Sequence, residues 1–173
     1  MRVIDDFLPR EDFLRLRSAL EAPSFPWSRS RILSPRTSTL EESRNRQLVH
    51  GFVLNRHGIA YRSPSFQLLA PVLALLAPAE WIKVKANLTP RREAHIEYGL
   101  HVDTRRPGAS TAILYLNTNN GYTVFEDGER VASVANRLVL FEAARRHTGA
   151  SCTDAPYRLV LNLNMVRPAI AAA

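Results

Sequence analysis

The chain has 173 residues, enough for one domain with a working core, and its 46% hydrophobic and 23% charged residues exclude bulk disorder and a fibrous repeat. A lone cysteine, Cys152, excludes an internal disulfide and a thiolate zinc site, and points to a reducing compartment. The formal charge of +7 favours anionic partners, nucleic acid among them, although no zinc-finger spacing or aromatic RNA-binding signature accompanies it.

The opening MRVIDDFLPRED places acids where a signal peptide needs apolar residues, and Phe66 to Ala79 is too short to span a bilayer. The expectation is a soluble, cytoplasmic protein with no membrane association. Val3 to Leu8 reads as a short strand. Pro9, the acids Glu11 and Asp12, and the spacing of Phe13, Leu16 and Leu20 predict a first helix over 9–20. Pro23 to Arg46 reads as loop with one strand near Arg31, and 28–62 as a candidate lid. A second helix through Phe66, Leu69, Leu73 and Leu76 is expected to start at Ser63-Pro64 and to kink at Pro71.

From Trp81 the character changes to short runs rich in Val, Ile, Leu and Tyr. Strands are predicted at 81–88, 98–103, 111–116, 122–126, 130–134, 138–141 and 157–166, separated by turns such as Asn119-Asn120-Gly121 and Asp127-Gly128. The expected fold is mainly β with buttressing helices on one face of a jelly roll, as a single domain: helical and loop support over 1–80, strand core over 81–167.

Three places carry polar groups that a purely structural strand would not need. In Tyr98-Gly99-Leu100-His101-Val102-Asp103, His101 and Asp103 are two apart and so share a strand face. His147 follows the strand that ends near Phe141. Two histidines and a carboxylate can form the facial triad of a non-haem iron(II) oxygenase. In the last strand, Arg158, Val160, Asn162 and Asn164 alternate with aliphatic residues. If that face looks inward, a buried guanidinium needs an anion, and a carboxylate ligand suits its planar fork. If it faces water, nothing follows.

The order H-x-D, TAILYLN, a distal histidine and an arginine opening the last strand resembles the prolyl-4-hydroxylase-like branch of the Fe(II)/2-oxoglutarate-dependent dioxygenases. TAILYLNTNNGYTVFEDGERV and NRLVLFEAARRHTG are similar to bacterial and phage members without an assigned substrate. The resemblance covers about 82–166. It implies a double-stranded β-helix, with His101, Asp103 and His147 holding Fe(II). It further implies Arg158 and Tyr115 on the distal carboxylate of 2-oxoglutarate, and Asn162 and Asn164 as neighbouring polar groups of the cofactor pocket. The implied activity uses O2 to hydroxylate an unactivated C–H of an amino acid, peptide, protein or small molecule, releasing succinate and CO2. The alternatives are a cupin-like metalloenzyme that does not use 2-oxoglutarate, and a basic binding module with a vestigial site. Arg91-Arg92, Arg105-Arg106 and Arg145-Arg146 would favour an anionic substrate if they converge on the pocket mouth. His95 is expected on a mouth loop, and His50 and His57 as structural or surface residues.

Overall fold

A computed structural model describes residues 1–32, 40–56 and 59–167. His57 and part of the predicted lid lie outside these residues. In chain order the strands are β1 (Arg2–Ile4), β2 (Ser28–Arg31), β3 (Arg46–Arg56), β4 (Ile59–Arg62), β5 (Glu80–Pro90), β6 (Ala109–Tyr115), β7 (Tyr122–Phe125), β8 (Arg130–Ala132), β9 (Leu138–Glu142), β10 (His147–Gly149) and β11 (Tyr157–Val166). Helix α1 (Arg10–Glu21) follows β1, and helix α2 (Ala70–Leu76) precedes β5.

The large sheet runs β1-β9-β6-β11-β5-β3-β2, with β4 beside β3, and the small sheet runs β10-β7-β8. All pairings are antiparallel. This is the expected jelly roll. The strands from 1–62 add to the large sheet what the sequence had suggested would be mostly loop. Among the described residues no helix is long and apolar enough to cross a membrane.

Two apolar layers follow from alternation along the central strands. Leu159, Leu161, Leu163 and Met165 of β11 join Val84, Ala86, Ala112 and Leu114 and pack against Phe13, Leu16 and Leu20 of α1 and Val72 of α2. On the opposite face Val160, Ile113 and Tyr115 meet Phe125, Val131, Val139 and Phe141. β11 is therefore buried on both faces, which removes the solvent-exposed alternative for its even positions.

Local chemistry explains the departures from expectation. Helix α1 begins as predicted, with Pro9 at its cap. The predicted kink at Pro71 is instead the first turn of α2, preceded by a 3₁₀ turn over Pro64–Leu69 whose Ser63 hydroxyl accepts from the Ser65 amide. A proline at a helix start loses no hydrogen bond, whereas in mid-helix it would. β3, eleven residues long, escaped the sequence reading because its register shifts between Gly51 and Val53, and a bulge breaks the alternation on which that reading depends. Residues 98–103 do not form a continuous strand: Gly99 sits at φ 92, and only His101 bridges, to His147. His147 stands on its own strand β10, paired with β7, rather than at the end of β9.

The amino end is fastened by Asn136. At φ 64, its side chain accepts from the Leu8 amide at 3.0 Å and donates to the Leu8 carbonyl at 2.8 Å, while its own carbonyl accepts from the Phe7 amide.

Candidate metal and cosubstrate site

Between the two sheets lies a cavity of about 110 Å³ that opens to solvent, and His101, Asp103, His147, Arg158 and Asn162 all line it. At one end, one donor atom each from His101, Asp103 and His147 lie within 4.8 Å of one another. Backbone pairing sets this grouping. The His101 amide donates to the His147 carbonyl at 2.9 Å and the His147 amide returns the bond at 3.0 Å, so two segments 46 residues apart present their rings side by side, centroids 4.8 Å apart. The Asp103 amide donates to the Ala143 carbonyl, which holds the carboxylate on the same rim.

Each ring is oriented by a carbonyl. His147 Nδ1 lies 3.0 Å from the Arg145 carbonyl and His101 Nδ1 lies 3.3 Å from that of Gly99. A carbonyl only accepts, so each Nδ1 carries the proton and each Nε2 keeps a lone pair for a cation. Phe141 stacks edge-on against His147 at 4.7 Å, and burial lowers the pKa of this imidazole and favours its neutral, ligating form. Burial alone would raise the Asp103 pKa. His147, the Thr111 hydroxyl at 2.8 Å and His101 outweigh it and hold the carboxyl below its usual range, hence ionised. Asn164 donates to Thr111 at 3.0 Å and so supports the carboxylate through that hydroxyl, while Asn162 reaches the same Asp103 oxygen at 3.4 Å. Two neutral imidazoles and one carboxylate are the donor set that suits Fe(II) with coordination positions left for ligands.

At the other end lies Arg158, only 6% exposed. Its Nε donates to Ser133 Oγ at 2.9 Å and its Nη2 to Thr123 Oγ1 at 3.1 Å, and its guanidinium carbon lies 5.4 Å from the Tyr115 ring centroid. Burial pulls its pKa down, and no described carboxylate lies within ion-pair distance to offset that. Two glycines make the space: a Cβ on Gly121 would stand 2.8 Å from Arg158 Cδ, and one on Gly149 3.2 Å from Nη1. Three more buried polar atoms on the cavity wall, Tyr98 Oη, Asn87 Oδ1 and Asn162 Oδ1, have no hydrogen-bond partner in the protein. Unpaired groups of this kind are costly, so the cavity is built for a polar ligand, and the Arg158 guanidinium calls for negative charge on it. A dicarboxylate bound between the cation and the metal fits these residues.

The structure thus gathers His101, Asp103, His147, Arg158 and Asn162 around one cavity, and leaves two of the predicted residues behind its wall. Tyr115 is fully buried with its hydroxyl donating to Thr123 at 2.8 Å, so Thr123 is the hydroxyl at the cavity surface on that side. Asn164 serves Thr111. Tyr98, Thr123, Ser133 and the two glycines were missed. The only signal for Tyr98 was an aromatic three residues before His101, and short polar side chains leave almost no trace in a sequence.

The arginine pairs do not line the cavity. Arg106 forms a two-pronged pair with Glu80 at 2.6 Å, Arg145 pairs with Asp127 and Glu129, Arg146 with Glu126, and Arg92 caps the carbonyls of Arg44 and Arg46. His95 binds the Ser151 carbonyl at 2.7 Å and stays outside the metal group, as expected. His50 is structural, held between Pro26 and Ser63. Cys152 is fully buried, and that burial raises its thiol pKa and keeps it unreactive.

No protein-family model matches the sequence, and no curated protein matches it. Solved structures do match the fold. A 2OG-Fe(II) oxygenase family oxidoreductase from Burkholderia pseudomallei is similar at TM-score 0.66 and 10% identity, over 94% of this chain and 84% of that one. A prolyl-4-hydroxylase from Pseudomonas putida is similar at TM-score 0.57 and 19% identity, over 97% and 92%. The epimerase SnoN in complex with Fe3+, alpha-ketoglutarate and nogalamycin RO is similar at TM-score 0.61 and 16% identity, over 96% and 80%. The chain has the fold of the 2-oxoglutarate- and iron-dependent oxygenases along nearly its whole described length.

Proposed function

We propose that this protein is an Fe(II)- and 2-oxoglutarate-dependent dioxygenase that hydroxylates an unactivated C–H bond of an amino-acid, peptide, protein or small-molecule substrate. His101, Asp103 and His147 hold the metal through two Nε2 atoms and a carboxylate oxygen. Arg158, with Thr123 at its side, receives the distal carboxylate of 2-oxoglutarate, and Tyr115 fixes Thr123 from behind. The observation that carries this reading is a buried guanidinium without a carboxylate partner in the same cavity as a two-histidine, one-carboxylate cluster. Iron, 2-oxoglutarate and O2 together supply the oxidising chemistry, with succinate and CO2 as co-products.

The chain's own residues bind, orient and shield. Asn164 and Thr111 hold the Asp103 carboxylate ionised and aimed at the metal. Phe125 and Phe141 pack around His147 and keep water from its ring. Tyr98 offers its hydroxyl proton to a ligand oxygen between the two ends, and the Asn162 amide oxygen beside it accepts only from a ligand O–H or N–H. The test is anaerobic titration of the Fe(II) protein with 2-oxoglutarate, which should raise a visible metal-to-ligand charge-transfer band. Asp103→Ala should abolish that band, and a substrate screen read by succinate release should respond only in the unsubstituted chain. Absence of the band in an Fe(II)-loaded, folded protein sinks the proposal.

A further inference from the structure

The sequence contains two lysines, and both stand on β5, at 83 and 85. Being two apart they share a face, on either side of the core residue Val84. The register sets Lys85 between Gly51 of β3 and Asn162 of β11, and Lys83 between Leu54 and Asn164. Lys85 therefore lines the cavity beside the metal cluster, close enough to feel the Asp103 charge. It also lines a second hollow, shared through Ile32 and Gln47, that runs across β5, β3 and β2 past Lys83, Val49 and Tyr61. The floor of this trough is bare at Gly51, where an added Cβ would meet nothing within 4 Å.

Neither ammonium has a described carboxylate within ion-pair distance, whereas many surface arginines do. The acids nearest in the sheet are engaged elsewhere: Glu80 with Arg106, and Asp103 with Thr111 and the histidines. Burial, with repulsion from Lys83, brings the Lys85 amine down to about 8. Lys85 at the polar cavity and Lys83 beside it in the adjoining trough, with no described carboxylate in ion-pair distance of either, form an anion site.

We propose that the primary substrate carries a carboxylate or phosphate that Lys85 grips with Lys83 beside it, while its apolar part lies along the trough over Gly51 and Val49. This rests on the oxygenase reading, and it places the anionic substrate group on lysines rather than on the arginine pairs. A lysine is suited to the task because a compact ammonium on a flexible stem can follow a group that moves as the target C–H is brought to the metal.

Reductive methylation with carbon-13 formaldehyde labels only the two lysines and the amino terminus, and leaves their charges in place. In the presence of saturating 2-oxoglutarate, benzoate and phenyl phosphate are titrated separately, with benzyl alcohol as the neutral control. The Lys85 resonance should shift saturably with at least one anion, Lys83 less so, and the amino terminus not at all. Which anion saturates first tells carboxylate from phosphate. Lys85→Gln, or Lys85→Met should that variant fail to fold, should weaken the tighter probe about tenfold by tryptophan fluorescence, and Lys83→Gln about threefold. A Lys85 resonance indifferent to both anions, an equal shift with benzyl alcohol, or unchanged affinity in Lys85→Gln overturns the proposal. Arg158→Gln separates the two readings: unaltered 2-oxoglutarate affinity there defeats the cosubstrate assignment and leaves the lysine result standing.

Discussion

The two faces of β11 are both buried yet do different work. One face presents Leu159, Leu161, Leu163 and Met165 to the helices, and nothing on it needs a partner. The other presents Arg158, Val160, Asn162 and Asn164 to the small sheet, and each polar group there is tied to a hydroxyl, a carboxylate or an open acceptor position. The apolar face stabilises the fold by burial. The polar face costs stability unless a ligand pairs its groups, so burial by itself says little about function.

Substitutions should separate the faces. Leu161→Ala, fully buried among aliphatic neighbours, should cost about 2–5 kcal/mol in denaturant unfolding and leave the 2-oxoglutarate affinity of the folded fraction intact. Equal loss of ligand affinity would mean the faces are not independent. Arg158→Gln should show the reverse pattern. We expect roughly a hundredfold loss of 2-oxoglutarate affinity by calorimetry, with no fall in the melting temperature of the ligand-free chain, because an uncompensated buried cation is removed. A large drop in that melting temperature would assign Arg158 to structure instead.

Lys85→Met tests the neighbouring strand. Below about pH 8 both folded and unfolded chains hold the Lys85 proton, and the folded state bears the full cost of the charge. Between about 8 and the ordinary 10.5 the unfolded chain binds more protons, so stability rises with pH. The variant should therefore gain on the order of 2 kcal/mol at pH 7, a gain that shrinks toward pH 10 in parallel unfolding curves. A gap independent of pH would place the effect in packing. The smallest change is expected from Asn164→Ala: about tenfold weaker Fe(II) binding with an unaltered 2-oxoglutarate complex once metal is saturating, since Asn164 supports Asp103, directly and through Thr111.

Where local periodicity dictated geometry, the sequence was readable. The apolar alternation of β11 and the helical spacing of Phe13, Leu16 and Leu20 are statements about near neighbours, and the structure places each accordingly; His101 and Asp103 do meet, but through the bridge to His147 and the Ala143 carbonyl rather than strand alternation. What stayed hidden depends on residues distant along the chain. That Gly121 and Gly149 clear room for Arg158, that Thr123 stands between Tyr115 and the cavity, and that Lys85 lines the cavity at the metal end are set by register, which a one-residue bulge at Gly51–Val53 can reverse. The arginine pairs, which adjacency alone could not assign to the pocket mouth or to solvent, do not converge: Arg106, Arg145 and Arg146 meet surface acids and Arg92 caps two carbonyls.

The clasp between Leu8 and Asn136 bears on how the polypeptide acquires its shape during synthesis. Among the described residues β1 pairs with β9 alone, so it waits for a partner made more than 130 residues later. Until then its amides stay in water, and α1 has no sheet to rest on, since β5, β6 and β11 are also late. Such long-range closure slows folding and lengthens the interval in which apolar strands stand uncovered. Asn136 is consequently a latch that cannot close until both distant segments exist, and weakening it should affect the yield of folded protein from a cell more than the properties of the molecules that succeed.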